Sequence, residues 1–232
     1  MNISRDLIDV SGNHRSWNWD AIIHKDAGID FNYLDGLIAQ INDGIYAPFF
    51  ESKHDLIFLD IGANLGLVSI YAYDACKKIV AIEPAPNVLP ILLALTKPFS
   101  NITVVSAALD SYDGQHEFFV NDINFTASST ENTYGKRTMV ECRKLATLLK
   151  DQGLAHVDVC KIDCEGCEGT ALDLYTLQAV SNIIDTFYIE VHNCPRSSWE
   201  YKLGMLAREL ARCGYHNIKV DEKDRFAITA SR

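Results

Sequence analysis

The stretch DLIFLDIGANLGLVSIY, residues 55–71, joins an apolar run to a helix-period segment through a turn that contains two glycines. The run 55–61 predicts a buried strand, and the segment 65–76 predicts a helix. Because Gly62 and Gly66 have no Cβ atoms, the turn can be tight and its backbone can approach a ligand closely. Free backbone amides at the helix start would donate hydrogen bonds to that ligand. The turn therefore predicts a nucleotide-like ligand at the end of the first strand.

This turn differs from two other nucleotide-binding motifs. Asn64 stands where the dinucleotide fingerprint has its middle glycine, and no Lys-Ser/Thr pair follows as in a P-loop. The next strand ends in Glu83, where a carboxylate would accept hydrogen bonds from both ribose hydroxyls. Asp60 and Glu83, at adjacent strand ends, suit a ligand that carries a ribose and a positive charge. The structural alternative is that Asp60 caps the following helix and that Glu83 is merely solvated.

Short apolar runs alternate with helix-period segments along the rest of the chain. The predicted strands are 55–61, 78–83, 102–108, 137–142, 157–162, 184–191, 216–221 and 225–231, with an extended segment at 115–120, and the predicted helices are 65–76, 86–97, 144–152, 168–179 and 198–213. This alternation predicts an α/β fold, a doubly wound, mostly parallel sheet with an antiparallel C-terminal hairpin. Such sheets bind ligands beyond the carboxyl ends of their strands.

The chain has 232 residues, enough for a full core in one main domain. We expect residues 55–232 to form the cofactor-binding domain. Residues 1–54 are expected to be an N-terminal extension, partly helical at 33–41, that packs on this domain. The polar stretch 121–136 has neither helix nor strand period. It predicts either a solvated loop or a lid that hydrogen-bonds a hydroxyl-rich acceptor.

Composition narrows the classes of partner. The formal net charge of −10 opposes binding to nucleic acid or to anionic membranes. No apolar run approaches the roughly 18 residues that a membrane span needs. The N-terminal residues show neither a secretory signal nor a transit peptide, so we expect a cytoplasmic location. There the seven cysteines would be thiols rather than a disulfide framework.

Four motifs stand in the order LDIGANLGLVSIYA, VAIEPAPN, DVCKIDCEGCE and YIEVH, and this order resembles the FkbM-type S-adenosylmethionine-dependent methyltransferases. The resemblance covers roughly residues 55–192. It implies a class I methyltransferase fold, which is Rossmann-like, with S-adenosyl-L-methionine as cofactor. It also implies O-methylation of a hydroxyl on a carbohydrate or on a sugar- or polyketide-like metabolite.

The resemblance also assigns cofactor-binding residues by position. They are Asp60, Gly62, Ala63, Asn64, Gly66, Glu83, Pro84, Ala107 and Ala108. Of these, Glu83 would hold the ribose hydroxyls, and Ala107 and Ala108 would lie near the adenine.

Cys160, Cys164 and Cys167 have the spacing C-x3-C-x2-C of the iron–sulfur loop in radical S-adenosylmethionine enzymes. Those enzymes usually have an aromatic residue before the last cysteine, where this chain has Gly166. The later cysteines and histidines do not form the second pair that a zinc site would need. We therefore predict no metal site. Cys160 is interpreted as a buried strand residue, and the other two as small apolar residues.

Methyl transfer to a hydroxyl is an in-line displacement that needs alignment and a base. Neighbouring strand ends supply four candidate catalytic residues, Lys161, Asp163, Glu190 and His192. His192, with an ordinary pKa near 6.5, would be mostly neutral at pH 7 and could accept a proton. Asp163 or Glu190 would orient it or take the proton, and Lys161 would hold a substrate oxygen. A hydrogen-bonded structural role is the alternative for His192, and helix-start stabilisation is the alternative for Asp163 and Glu165. Glu168 is interpreted as a helix-start residue. The acidic set fixes too few ligands to predict a divalent cation.

The leading hypothesis is thus an S-adenosylmethionine-dependent O-methyltransferase with a small-molecule or glycan acceptor. Three alternatives stay open. They are a catalytically silent cofactor-binding or assembly module, an RNA 2'-O-methyltransferase, and a radical iron–sulfur enzyme. The silent module would tolerate loss of Asp163 and His192, the acidic balance opposes RNA, and the radical enzyme would contain iron. The acceptor and the oligomeric state are left open.

Overall fold

The protein is described by a computed structural model that covers residues 6–17, 31–120, 135–193, 198–221 and 226–232. Most of the polar stretch 121–136, the turn between β11 and β12, and Cys194 lie outside these described residues.

Strands and helices alternate through the described chain. The strands are β1 (Leu7–Ile8), β2 (His14–Arg15), β3 (Leu56–Ile61), β4 (Cys76–Ile82), β5 (Ile102–Val105), β6 (Ala108–Leu109), β7 (Gly114–Val120), β8 (Lys136–Arg143), β9 (Val157–Ile162), β10 (Ile184–Glu190), β11 (Asn217–Asp221) and β12 (Ala227–Ser231). The helices are α1 (Phe31–Asn42), α2 (Ala47–Phe50), α3 (Leu67–Tyr71), α4 (Leu89–Thr96), α5 (Leu145–Asp151), α6 (Glu168–Ala171), α7 (Leu174–Val180) and α8 (Trp199–Arg212).

The central sheet has the strand order β11-β12-β10-β9-β3-β4-β5. Strands β10, β9, β3, β4 and β5 are parallel, and β12 runs antiparallel to both β10 and β11. The predicted doubly wound, mostly parallel sheet with an antiparallel C-terminal hairpin is confirmed. The chain first builds outward from β3 to β5 and later adds β9 on the other side of β3. The strand order therefore reverses between β3 and β9, which is where such sheets bind ligands.

A second sheet has the order β6-β8-β7. The predicted strand 102–108 ends at Val105, and Ala108 and Leu109 pair with Cys142 and Arg143 instead of continuing the central sheet. The extended segment predicted at 115–120 is the antiparallel partner of β8. This small sheet lies in sequence between the two halves of the central sheet.

Two predicted helices are shorter than their periodicity indicated. The segment 65–76 forms only α3 and a 3₁₀ turn, Tyr73–Ala75, and Cys76 already begins β4. The segment 168–179 divides into α6 and α7. The division occurs at Asp173, whose side chain accepts a hydrogen bond from the Thr176 amide at 2.8 Å and so caps a new helix.

Two hydrophobic clusters cover the faces of the central sheet. Helices α1 and α2 belong to the first cluster, in which the rings of Phe50 and Phe58 pack edge to face with centroids 4.9 Å apart. Tyr46 packs in the same way on Tyr188 of β10, at 5.4 Å. These contacts hold residues 31–50 against the sheet beside its carboxyl edge. Within the described part of the chain, every helix is too short or too polar to span a bilayer.

Candidate active site

A cavity of about 280 Å³ opens at the carboxyl ends of β3, β4, β9 and β10. Its wall combines the turn after β3, the ends of the neighbouring strands and residues of α1. The lining residues are Leu37, Gln40, Ile41, Tyr46, Ile61, Gly62, Ala63, Asn64, Leu65, Leu67, Val68, Glu83, Pro84, Ala107, Ala108, Leu109, Phe118, Lys161, Asp163, Cys164, Glu165, Glu190 and His192. Seven of the nine predicted cofactor-binding residues and all four predicted catalytic residues are among them.

The glycine turn is held in place by the neighbouring strand ends. Gly62 has φ +73°, and a Cβ atom there would overlap the carbonyl oxygen of Asp163. The amides of Gly62 and Ala63 donate to the Ile82 carbonyl at 3.0 and 2.9 Å. These two amides are therefore not available to a ligand, and the expectation of free amides concerns the helix start that follows. The two residues join β3 to β4, and the glycine permits close approach of β9.

Asp60 and Gly66 lie outside the cavity wall. Asp60 is fully buried, and its Oδ2 accepts a hydrogen bond from the Ser69 hydroxyl at 2.7 Å. Gly66 precedes α3 with φ +77°, and a Cβ atom there would overlap the side chain of Leu92. Asp60 thus contacts the following helix through the Ser69 side chain and does not cap it, contrary to the structural alternative, and Gly66 gives α4 room to pack. Their assignment to the cofactor stays a prediction.

Glu83 presents its carboxylate to the cavity from the end of β4. Oε2 accepts a hydrogen bond from the Asn64 amide at 2.9 Å, and Oε1 accepts one from the Ala85 amide at 2.8 Å. Burial raises the pKa of Glu83 to about 7, and the two amides oppose this increase. Each carboxylate oxygen has two acceptor positions, so each keeps one for a further donor. Glu83 is therefore fixed in orientation and still able to bind two hydroxyl groups.

Asn64 also faces the cavity with unused hydrogen-bonding capacity. Its backbone has φ +52°, a left-handed conformation that asparagine tolerates better than most residues. Its side-chain Oδ1 is buried and has no hydrogen-bond partner among the described residues. A buried amide oxygen without a partner is costly, and a ligand donor would remove that cost.

Small and apolar side chains line the cavity beside Glu83. Ala107 and Ala108 are buried, and Phe118 from β7 and Leu109 from β6 complete this part of the wall. The second sheet thus contributes to the cavity. The combination leaves a narrow apolar space next to a carboxylate, which suits a flat heteroaromatic ring next to a sugar.

Lys161 is the buried cation of the site. Its Nζ lies 3.4 Å from Asp60 Oδ1, 3.2 Å from Asp163 Oδ2 and 3.2 Å from the carbonyl oxygen of Gly62, to which it donates a hydrogen bond. Burial alone would lower its pKa, but Asp163, Asp60 and Glu190 outweigh burial and raise it. Lys161 is therefore a permanent cation at neutral pH. It joins the glycine turn to the end of β9.

His192 lies among three carboxylates after β10. Its Nδ1 is 3.0 Å from Glu168 Oε1, and its Nε2 is 3.6 Å from Asp163 Oδ1 and 3.8 Å from Glu165 Oε2. Burial lowers the pKa of His192, but the hydrogen bond and charge of Glu168, together with Glu165 and Asp163, raise it to about 10. The expectation of a mostly neutral imidazole at pH 7 is therefore wrong. The three carboxylates favour the imidazolium form of His192.

Glu165 and Glu190 complete the charged end of the cavity. Burial raises the pKa of Glu165 to about 8, against the opposing charge of His192. Burial and then Asp163 raise the pKa of Glu190, while Lys161 and a 2.8 Å hydrogen bond from the Tyr188 hydroxyl oppose the rise. A carboxylate oxygen of Asp163, a carboxylate oxygen of Glu190 and an imidazole nitrogen of His192 all lie within 4.8 Å of one another. The predicted catalytic residues therefore converge, with cations and carboxylates interleaved.

Cys164 and Cys167 form a disulfide, with Cα atoms 5.9 Å apart. The prediction that all cysteines are thiols is wrong for this pair, and so is their interpretation as inert small residues. Cys160 is fully buried in β9 and has a free thiol, which confirms its interpretation as a buried strand residue. Because Cys160 lies in the strand and the other two are bonded to each other, the three sulfurs do not form a cluster site. Cys164 itself lines the cavity.

Lys202 was not among the predicted site residues, and Glu168 was predicted only to stabilise the helix start. Both are buried behind His192, where they contact it or the loop after β9. A usable signal was the helix WEYKLGMLAREL, because Lys202 falls on the same face as Trp199, Leu203 and Leu206. The cavity residues of α1, which are Leu37, Gln40 and Ile41, stand in no sequence pattern that indicated a place in the site.

A family model described as the methyltransferase FkbM domain matches residues 60–216. The chain belongs to the FkbM methyltransferase family. This confirms the predicted family and, with the strand order described above, the class I methyltransferase fold. Methyltransferase sdnD of Sordaria araneosa is 28% identical over an alignment of 179 residues, and the match covers 61% of this chain and 66% of that protein. The match thus spans just under two thirds of the relative's length.

Solved methyltransferase structures show distant likeness to this FkbM family member. One is a methyltransferase FkbM from Methylobacillus flagellatus, 15% identical with a TM-score of 0.49, covering 87% of this chain and 55% of that chain. Another is a precorrin-6y C5,15-methyltransferase from Geobacter metallireducens, 17% identical with a TM-score of 0.48, covering 80% of this chain and 85% of that chain.

Proposed function

We propose that this FkbM family protein transfers the methyl group of S-adenosyl-L-methionine to a hydroxyl of a carbohydrate or of a sugar- or polyketide-like metabolite. The observation that carries the proposal is the Glu83 carboxylate. It lines the cavity, is oriented by two backbone amides and keeps one acceptor position on each oxygen. That arrangement matches the two vicinal hydroxyls of a ribose.

The remaining cavity supports the same cofactor. Ala107 and Ala108 would flank the adenine, Glu83 would hold the ribose, and the unpartnered Asn64 Oδ1 would accept a hydrogen bond from the amino group of the methionine part. The carboxylates around Lys161 favour a ligand with a positive sulfur centre. When bound, this cofactor supplies an electrophilic methyl group.

The charged end of the cavity would activate the acceptor hydroxyl. Glu190 is our candidate for the proton acceptor, because burial and Asp163 raise its pKa and so make it a stronger base. The cations of Lys161 and His192 would stabilise the negative charge that develops on the acceptor oxygen. Asp163 lies between these two cations and fixes their separation. His192 thus serves as a charge and hydrogen-bond donor rather than as the base.

The balance of charges favours an uncharged, hydroxyl-rich acceptor. Because the raised pKa of Glu165 keeps this residue largely protonated at pH 7, Asp163 and Glu190 balance Lys161 and His192, and the site has no excess positive charge to attract a phosphate or carboxylate on the acceptor. The carboxylates can accept hydrogen bonds from several hydroxyls at once. This argument favours a neutral sugar or polyol over an RNA strand, in line with the acidic composition.

The test has two stages. Calorimetric titration of the protein with S-adenosyl-L-methionine should give a dissociation constant in the micromolar range. Incubation with labelled methyl donor and matched panels of neutral sugars, sugar phosphates and short RNAs should label the neutral panel first. Absence of cofactor binding would refute the methyltransferase site, whereas labelling confined to the phosphate or RNA panels would refute the acceptor class.

A further inference from the structure

Lys202 is a buried lysine whose side chain reaches the back of the candidate active site. It lies in the first turns of α8 and is only 1% exposed. Its Nζ donates hydrogen bonds to the carbonyl oxygens of Gly166 at 2.9 Å and of His192 at 2.8 Å. It also lies 3.8 Å from Glu168 Oε2. One side chain therefore contacts both the loop after β9 and the segment after β10.

The partners of Lys202 are the groups that hold His192. Glu168 is fully buried, and its Oε1 lies 3.0 Å from His192 Nδ1 while accepting hydrogen bonds from the amides of Cys164 at 3.3 Å and Gly166 at 3.2 Å. Glu168 thus fixes the ring of His192, and Lys202 fixes its backbone. Together they join the imidazolium to the loop that carries Asp163 and Glu165.

The absence of a side chain at Gly169 makes room for the Lys202 side chain. A Cβ atom on Gly169 would lie 2.9 Å from Cε and 3.1 Å from both Cδ and Cγ of Lys202. The contact involves three consecutive carbons of a buried chain, so the chain cannot swing aside as an exposed lysine would. Gly169 has an ordinary helical backbone, and its lack of a side chain is explained by the space that Lys202 occupies.

Burial of an amine needs compensation, and among the described residues it comes from the His192 carbonyl and from Gly166 and Glu168 behind the cavity wall. A lysine that served only to cover the core would keep its nitrogen at the surface. Lys202 instead directs the nitrogen inward, to two carbonyls and a carboxylate. We propose that Lys202 is a positioning residue, which sets the location of His192 relative to Asp163 and Glu165 for methyl transfer. This inference rests on the proposed function for its catalytic meaning.

The test is an NMR titration of the His192 imidazole in the full-length protein, with the resonance assigned by its loss in His192→Gln. Removing the positive amine while the geometry stays fixed would strengthen the pull of Glu168 on the His192 proton and raise its pKa. Loss of positioning would separate His192 from Glu168, Asp163 and Glu165 and lower it. The direction of the shift therefore distinguishes positioning from a purely electrostatic role.

We expect Lys202→Ala to lower the pKa of His192 toward its ordinary value, and Gly169→Ala to lower it in the same direction. The double variant should match Lys202→Ala alone, because the clash needs the lysine chain. Lys150→Ala, at an exposed position on α5, is the control and should leave the pKa of His192 unchanged. With the best acceptor from the neutral panel, Lys202→Ala should lose at least tenfold in kcat, with the dissociation constant of the cofactor within threefold of wild type.

An unchanged or raised pKa of His192 in folded Lys202→Ala would overturn the proposal. If that variant does not fold, Gly169→Ala and Lys202→Met decide by the same titration. Failure of all three to fold would assign Lys202 to the core and also overturn it. Absence of cofactor binding in the wild-type protein would refute the proposed function alone, because the His192 titration needs no cofactor.

Discussion

The Glu83 carboxylate accepts a hydrogen bond from the backbone amide of Asn64 at 2.9 Å and thereby joins the end of β4 to the turn after β3. Loss of this carboxylate removes both the support of the turn and the two acceptor positions toward the cavity. We expect Glu83→Ala to weaken S-adenosyl-L-methionine binding by about 100-fold or more in calorimetric titration. Glu83→Gln keeps one acceptor oxygen, so its affinity for S-adenosyl-L-methionine should lie between those of the wild type and Glu83→Ala. Glu200→Ala, exposed on α8, is the control, and an unchanged titration with Glu83→Ala would contradict the site.

Gly62→Ala tests the close approach of β9 to the turn. The new Cβ atom would overlap the Asp163 carbonyl, and the left-handed backbone adds its own cost. We expect a loss of about 3 kcal/mol in the free energy of unfolding, measured by urea denaturation. Gly153→Ala has a similar φ of +62° with nothing within 4 Å of the new atom. Gly153→Ala should lose only the cost of the left-handed backbone, roughly 1 to 2 kcal/mol in the free energy of unfolding. Equal losses at the two positions would exclude a contribution from overlap with the Asp163 carbonyl.

The disulfide predicts a thiol count. Of the seven cysteines, Cys164 and Cys167 are bonded to each other. Denatured, unreduced protein should therefore react with at most five equivalents of a thiol reagent, and with seven after reduction. Because the loop that the bond closes is short, reduction should lower the free energy of unfolding by only roughly 2 kcal/mol. Cys213→Ser should keep this sensitivity to reduction, Cys164→Ser should lose it, and seven thiols before reduction would contradict the bond.

Stability is expected to fall as pH rises from 6.5 to 9. The native protein holds the His192 proton up to a pKa of about 10, whereas the unfolded chain releases it near 6.5, so rising pH favours the unfolded state. Glu165, with its pKa raised to about 8, and Glu83, raised to about 7, change stability in the same direction. The expected slope is on the order of 1 kcal/mol per pH unit. His192→Gln should flatten it in denaturation series at several pH values, and a steeper fall in that variant would contradict the shifted pKa.

Local sequence was sufficient to predict the buried strands of the central sheet. The apolar runs of β3, β4, β9 and β10 specify buried parallel strands, and the strand ends then bring Glu83, Asp163 and His192 to one edge. Helix ends were less predictable, because Asp173 and Gly66 act through local caps and turns that interrupt a continuous period. The family motifs were most useful at these strand ends, where the same residues pack in the sheet and line the cavity.

The rest of the site depends on contacts between distant segments. The protonation of His192 follows from Glu168, and the position of Glu168 follows from backbone amides of a loop that no periodicity describes. The expectation of thiols at Cys164 and Cys167 came from an assumed reducing compartment rather than from the spacing of two residues. Lys202 reaches the site from a helix whose sequence shows only a lysine on an apolar face. Such residues are found once the burial of their charged atoms is known.

The place of β12 inside the central sheet affects how the protein can be synthesised. Residues 227–231 pair with β10 on one side and β11 on the other, so β10 has an unpaired edge until β12 has left the ribosome. An unpaired edge on an apolar strand invites pairing with other chains. A nascent chain stalled before residue 227 should therefore need a chaperone, whereas the released protein should not.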